Sequence, residues 1–251
     1  MKITFKDTFE LGDIIFENDL FSHSHFAKVK IMYDANFVEF KVMPSLEQFI
    51  MAERYLKKFH QKNNQEHVKF FFPENAVLPS EINEYLQQSA YSFAKMELYK
   101  IRADDFAGGP PAKSVTVEQV NEYNLEDFLT LHHRFNSEYG NEFATRKNQV
   151  LKEQWNQVDF SFYLAYFESK PVGVLNAIQT ENVIEIDNLH VDDNYQKRGI
   201  GRQLQKAVMN EFPDKTVILI ADGDDTPREM YQKQGYQYLS FMYEVLKTWG
   251  K

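Results

Sequence analysis

Val183 to Gln203 reads VIEIDNLHVDDNYQKRGIGRQ, and the rest of the chain is organised around it. Val183, Ile184, Ile186, Leu189 and Val191 form a β-rich apolar run, and Asp192, Asp193 and Asn194 are turn formers, so a strand ends here. Gln196, Lys197, Arg198, Gly199, Ile200 and Gly201 follow, after which Leu204, Ala207, Val208 and Phe212 recur at helical spacing. The glycines therefore open a helix. Glycine lets backbone N–H groups approach a ligand closely, and a helix N-terminus supplies unpaired donors with partial positive charge. Strand, glycine loop and helix in that order make an anion site, beside which Lys197, Arg198 and Arg202 add three charges. Two nucleotide-binding patterns fail on spacing. Leu204 stands where a dinucleotide fingerprint has its third glycine, and no Gly-Lys-Ser/Thr ends the loop as a P-loop requires.

The whole segment resembles the acyl-CoA-binding motif of the GNAT superfamily of N-acetyltransferases, Gln/Arg-x-x-Gly-x-Gly/Ala, whose specified positions are filled by Gln196, Gly199 and Gly201. A second block resembles the same family downstream, with a strand from Thr216 to Ile220 followed by Asp225, Thr226, Pro227, Tyr231, Gly235 and Tyr236. The likeness covers about residues 113 to 251. It implies an α/β fold, a central mixed β-sheet flanked by helices, that takes acetyl-CoA as co-substrate and needs no metal. By the same resemblance the donor is held by Leu189, His190 and Val191, whose backbone pairs with pantetheine, and by Gln196, Lys197, Arg198, Gly199, Ile200, Gly201 and Arg202. Asp224 departs from the pattern, since many relatives carry an asparagine touching the cofactor there.

Length and composition are compatible with two domains: 251 residues, 43% hydrophobic and 15% aromatic, describe a globular chain with a sizeable core. No apolar run approaches the length of a membrane span, and the opening MKITFKDTFELGD lacks a signal-peptide core, so a cytoplasmic protein without membrane attachment is expected. The absence of cysteine excludes disulfides, thiolate metal sites and a Cys nucleophile. A formal net charge of −9 argues against general nucleic-acid affinity and favours cationic ligands.

In chain order, Phe26 to Tyr33 and Phe37 to Met43 read as strands of a hairpin, and Ser45 with Gln48 makes a capping box for a helix carrying Phe49, Ala52 and Leu56. Val68 to Phe72 reads as a strand, Ser80 as the cap of a second helix, and Phe93 to Ile101 as a further strand. His23 and His25 lack a third ligand at metal-binding spacing, so they read as ordinary surface or core histidines. Gly108-Gly109-Pro110-Pro111 breaks every periodicity, which divides the chain into a domain at 1–102, a linker at 103–112 and a domain at 113–251. Beyond it come a strand from Ser114, helices after Asn124 and from about Glu142 to Gln157, strands at Phe160 to Phe167 and Val172 to Thr180, and then the opening stretch.

The reaction implied requires a neutral amine to attack a thioester, whereas a lysine-like amine has a pKa of about 10.4. A base is needed. Glu185 matches the position where several relatives carry a carboxylate acting directly or through water, and strand alternation puts Asp187 on its face. Tyr231 matches the tyrosine that in many relatives protonates the departing thiolate, and the Leu189 N–H is the expected oxyanion donor. The acceptor would lie against Phe135, Glu138, Tyr139, Phe143, Asp187, Phe241 and Tyr243, whose carboxylates and rings suit a cationic amine. The acceptor is then a small molecule or a peptide or protein amine, and the protein a monomer or homodimer. A non-catalytic acyl-CoA sensor or assembly module is the alternative, against which the presence of both Glu185 and Tyr231 weighs.

Shifting the chain by 146 positions lays Phe37 to Met43 on Val183 to Leu189, Phe26 to Tyr33 on Val172 to Gln179, and Ser80 and Tyr85 on Thr226 and Tyr231. Residues 1–102 thus read as a degenerate GNAT-like half. With no glycine between Gly12 and Gly108 it lacks a donor loop, and one CoA per chain is expected.

Overall fold

A computed structural model describes residues 2–223 and 227–249. They form two compact units that interleave along the chain: a first unit from 10–97, 221–223 and 240–249, and a second from 2–9, 98–220 and 227–239. Among the described residues no helix is long and apolar enough to cross a membrane.

The first unit begins with strands β1 (Asp13–Glu17), β2 (Phe21–His25) and β3 (Phe37–Phe40), then helix α1 (Leu46–Lys62), strand β4 (His67–Phe71), helix α2 (Ser80–Gln88) and strand β5 (Ser92–Arg102). Strand β2 is antiparallel to β1 and β3, while β3 and β4 run parallel and are joined, as parallel strands must be, by a crossover through α1. Ser45 and Gln48 close the expected reciprocal capping box at the start of α1. Its Phe49, Ala52 and Leu56 then pack into a core with Phe40, Phe70, Phe72 and Ile82.

Two local expectations are corrected here. The strand read at Phe26 to Tyr33 is two 3-10 turns, Ala27–Val29 and Tyr33–Ala35, and the hairpin lies earlier, at β1 and β2. Buried Asn36 is the cause: its amide donates to the Val29 and Met32 carbonyls (3.2 and 2.9 Å) and its oxygen accepts from the Phe26 N–H (3.1 Å). A side chain therefore satisfies backbone groups that a ladder would have used. At α2, Pro79 occupies the N-cap with no side-chain bond and Ser80 is already helical. Asn124 does occupy an N-cap, but its oxygen accepts from the Asn121 N–H (2.7 Å) instead of from the helix.

Four histidines far apart in sequence meet in this unit, which His23 and His25 alone did not foretell. The His23 and His60 ring centroids are 6.0 Å apart, those of His60 and His67 4.4 Å, and those of His23 and His25 6.3 Å. His60 Nδ1 donates to the His67 carbonyl (2.6 Å) and His67 Nε2 to the Asn36 carbonyl (3.0 Å), leaving His60 Nε2 and His67 Nδ1 buried without a partner among the described residues. A proton added there would find no acceptor. Burial, then His60 and His25, drives His23 down to about 3; burial, then His25, brings His60 to about 4 against the bond to His67; burial, then His60, takes His67 to about 3. Because the folded values lie below the ordinary 6.5, the unfolded chain binds more protons once pH falls below 6.5. Stability is complete above that pH and is lost towards 4, by up to about 1.4 kcal/mol per histidine per pH unit. Denaturant titrations at pH 7 and pH 5 check this: a clear fall in midpoint is expected, and equal midpoints contradict it.

The second unit holds β6 (Val115–Gln119), α3 (Leu125–Asn136), α4 (Asn141–Trp155), β7 (Phe160–Phe167), β8 (Lys170–Gln179), β9 (Ile184–Val191), α5 (Ile200–Glu211), β10 (Thr216–Asp222) and α6 (Pro227–Gln234), with β11 (Gln237–Thr248) closing the chain. Strands β6 to β9 form an antiparallel meander, and β9 runs parallel to β10. Phe128, Leu129 and Leu151 of α3 and α4 pack on Phe162, Leu164 and Val174, whereas the backbone of Gly173, one residue along β8, lies under Ile200 and Leu204 of α5. Alternation thus puts α5 on the opposite face from α3 and α4.

Each unit borrows a strand. Residues 244–248 of β11 pair antiparallel with β4 in the first, and β5 lies beside β10 in the second. The order β3-α1-β4-α2-β5 follows the same plan as β9-α5-β10-α6-β11, with a parallel pair in each. A gapless shift does not hold throughout: Phe26 to Tyr33 is no counterpart of β8, and Phe70, the partner of Val38, falls one residue short of Val217, the partner of Ile184.

Candidate active site

The site is built on β9. Across β8, Asp187 faces Asn176 and His190 faces Val174, so Asn188 and Leu189 together oppose Leu175, and Asn188 takes φ +49°. This is a bulge, which releases backbone groups from the ladder and bends the strand. It falls at Leu189, where the oxyanion donor was expected.

Below the bulge β9 runs into the glycine loop. The Asp192 carboxylate accepts from the Asn194 N–H (3.0 Å) and from Arg134 of α3 (2.6 Å), which fixes a 3-10 turn at Asp193–Tyr195. Gln196 donates to the Val191 carbonyl (3.2 Å) and the Asp193 carboxylate (2.7 Å), so it braces the turn. Gly199, at φ +81°, is the left-handed N-cap of α5. At Gly201 a Cβ would meet only Val191 Cγ2, at 3.8 Å, so the backbone there is open to an approaching group. An open helix N-terminus of this kind fits a pyrophosphate. The Arg198 guanidinium lies over the Phe167 and Tyr195 rings (5.0 and 5.5 Å). Arg202 instead lies against Gly109, and Lys206 against Gly108, so the stretch from 103 to 112 runs along α5. The corresponding helix of the first unit, α1, instead carries a side-chain cap, Ser45 accepting from the Gln48 N–H.

Glu185 is 7% exposed, with Ile178 of β8 and Ile218 of β10 beside it. Burial, reinforced by the Asp187 carboxylate, raises its pKa to about 8, against the lowering effect of a 2.6 Å hydrogen bond from the Phe9 N–H. A carboxyl poised there can exchange a proton near neutral pH. Asp187 is half-buried and accepts from the Asn188 amide. Asn176, opposite Asp187, is 2% exposed and its Oδ1 has no hydrogen-bond partner among the described residues. It interrupts the apolar run of β8, a polar signal that the sequence reading passed over.

Tyr231 is half-buried on α6, its ring 5.6 Å from Tyr99 and 5.5 Å from Tyr236. The Tyr236 hydroxyl in turn donates to Gln205 (2.9 Å), tying this end of α6 to α5, the helix that the glycine loop opens. Of the expected acceptor residues, Phe135 stacks on His190 at 3.9 Å, and Tyr139 packs edge-on to Phe143 at 5.7 Å with Glu138 exposed beside it. Burial lowers the His190 pKa, opposed by Glu138, Asp193 and Asp192. Phe241 and Tyr243 belong to the first unit, where their rings pack together at 5.2 Å. Asp224, Asp225 and Thr226 lie outside the described residues. Among the described residues no group of three or more histidines or acids could hold a metal ion.

Residues 118–244 match the family model of the acetyltransferase (GNAT) domain, and residues 3–99 match a domain of unknown function (DUF5613). The chain belongs to the GNAT acetyltransferase family. It is similar to a conserved protein of unknown function from Staphylococcus epidermidis ATCC 12228, at 31% identity, TM-score 0.90 and 98% coverage of each chain. A GCN5-related N-acetyltransferase from Kribbella flavida shares the fold at 11% identity and TM-score 0.63, covering 95% of this chain and 90% of that one. So does a tandem GNAT protein from the clavulanic acid biosynthesis pathway, at 10% identity and TM-score 0.54, covering 86% and 76%. No curated protein matches the chain.

Proposed function

We propose that this protein is an acetyl-CoA-dependent N-acetyltransferase that acetylates a primary amine by direct attack. The observation that carries the reading is one continuous element: β9 bears a buried carboxyl, then a bulge, and then leads into a glycine loop open at Gly201. The loop backbone and the α5 N-terminus hold the donor's phosphates. Leu189, freed by the bulge, directs its N–H at the thioester oxygen as charge develops there. Glu185 takes the amine proton, directly or through a water that Asn176 Oδ1 is placed to hold, and Tyr231 returns a proton to the departing thiolate. The stacked Phe135 and His190 and the exposed Glu138 and Tyr139 offer rings and negative charge to a cationic acceptor.

A panel of small amines, peptides with free N-termini and lysine peptides, incubated with acetyl-CoA and followed by free thiol release, tests this. Amine-dependent release is expected for at least one class. Binding of acetyl-CoA with no release across the panel favours the non-catalytic sensor or assembly module.

A further inference from the structure

The segment preceding the first strand is a built feature of the second unit. Ile3 and Phe5 are buried, and Thr4 and Asp7 close a capping box around the 3-10 turn Phe5–Asp7. The Thr8 hydroxyl donates to the Phe5 carbonyl (2.6 Å), and the Phe9 ring packs edge-on to Phe160 at 5.2 Å. So braced, the arm presents the Phe9 N–H to Glu185 Oε2 at 2.6 Å, across 176 positions of sequence. The matched acetyltransferase domain starts at residue 118, far from this arm.

We infer that the N-terminal arm is a positioning element of the active site, and that the Phe9 amide holds the Glu185 carboxylate in the orientation and charge state of a base. The inference rests on the base role proposed above. A backbone donor bonds more strongly to a carboxylate than to a neutral carboxyl, so it favours the form that accepts the amine proton. The other charge acting on Glu185 is Asp187, two residues along β9, which disfavours that form; from β8 and β10 the neighbours are Ile178 and Ile218. Without the amide, burial and Asp187 would act unopposed.

Thr8 sits at φ −81° and ψ 156°, the conformation a residue takes before proline, so Phe9→Pro removes the N–H without straining Thr8. Phe9→Leu keeps the N–H and serves as the control for the ring. With glutamate labelled at the carboxyl carbon and the Glu185 resonance assigned by its loss in Glu185→Gln, the titration midpoint is read directly. It is expected to rise by about one pH unit in Phe9→Pro relative to Phe9→Leu. In the unmodified protein the Phe9 amide proton resonance should move with the same midpoint, and this movement should vanish in Glu185→Gln. An equal midpoint in the two Phe9 variants, or a Phe9 amide that ignores the titration, overturns the inference; the second readout holds even if Phe9→Pro fails to fold. Neither depends on turnover. If the midpoint moves while no amine is acetylated, the arm acts on Glu185 as stated and the acetyltransferase reading is what fails.

Discussion

Replacing Glu185 with glutamine is expected to lower kcat/KM for a true amine acceptor by about 10² to 10⁴-fold, the scale of lost general-base catalysis. The same change should remove the break near pH 8 from the pH profile. Burial and Asp187 hold the carboxyl near 8, above its ordinary value, so below that pH it is protonated and unable to accept a proton. Activity of the unaltered enzyme should therefore climb about tenfold per pH unit up to roughly 8 and level off above it. Glutamine is neutral at every pH and fills the same volume, so the levelling-off near 8 is lost and the low residual rate follows the amine's own deprotonation, still rising through pH 9. The measurement is kcat/KM from pH 6 to pH 9 for both proteins. A glutamine variant that keeps full activity, or that keeps the levelling-off near 8, assigns the base elsewhere; Asp187 and His190 are then the next to substitute.

Tyr231→Phe is expected to slow turnover on the same scale of about 10² to 10⁴-fold, with the dissociation constant for acetyl-CoA little changed. The ring is held by Tyr99 and Tyr236, so removing one hydroxyl leaves its packing in place. The missing group is a proton source for the departing thiolate. Single-turnover rates isolate this step from product release. A single-turnover rate equal to that of the unaltered protein would show that another group, or solvent, supplies the proton.

What was legible in the sequence divides by range. The glycine loop was, because strand, turn, glycines and helix are contiguous and each leaves a local mark from Val183 to Phe212. The α1 capping box was legible for the same reason. Alternation placed Glu185 and Asp187 on one face, but it carried no sign of the bulge that turns the strand at Asn188, since two residues opposing one is a property of the β8 pairing. The histidine group needed β2, α1 and β4 folded together before His60 and His67 came within reach of His23. Asn36 misled the reading of Phe26 to Tyr33 because a single buried amide can replace a ladder's hydrogen bonds without altering the β-like pattern around it. The Phe9 bond to Glu185 and the pairing of β11 with β4 span most of the chain, and no window of local sequence records them.

The account rests on the open glycine loop as the donor site, and one measurement bears on it most directly: calorimetric titration of acetyl-CoA into the full chain and into Gly201→Val. A side chain at Gly201 has room within the protein, its nearest neighbour being Val191 at 3.8 Å, so the substitution obstructs an approaching ligand without displacing the core. The first unit has no glycine between Gly12 and Gly108, and the N-terminal donors of its α1 are partly engaged by Ser45. The account predicts one acetyl-CoA bound per chain, and binding lost or severely weakened in a folded Gly201→Val variant. A stoichiometry of two, or unchanged affinity in that variant, would contradict it.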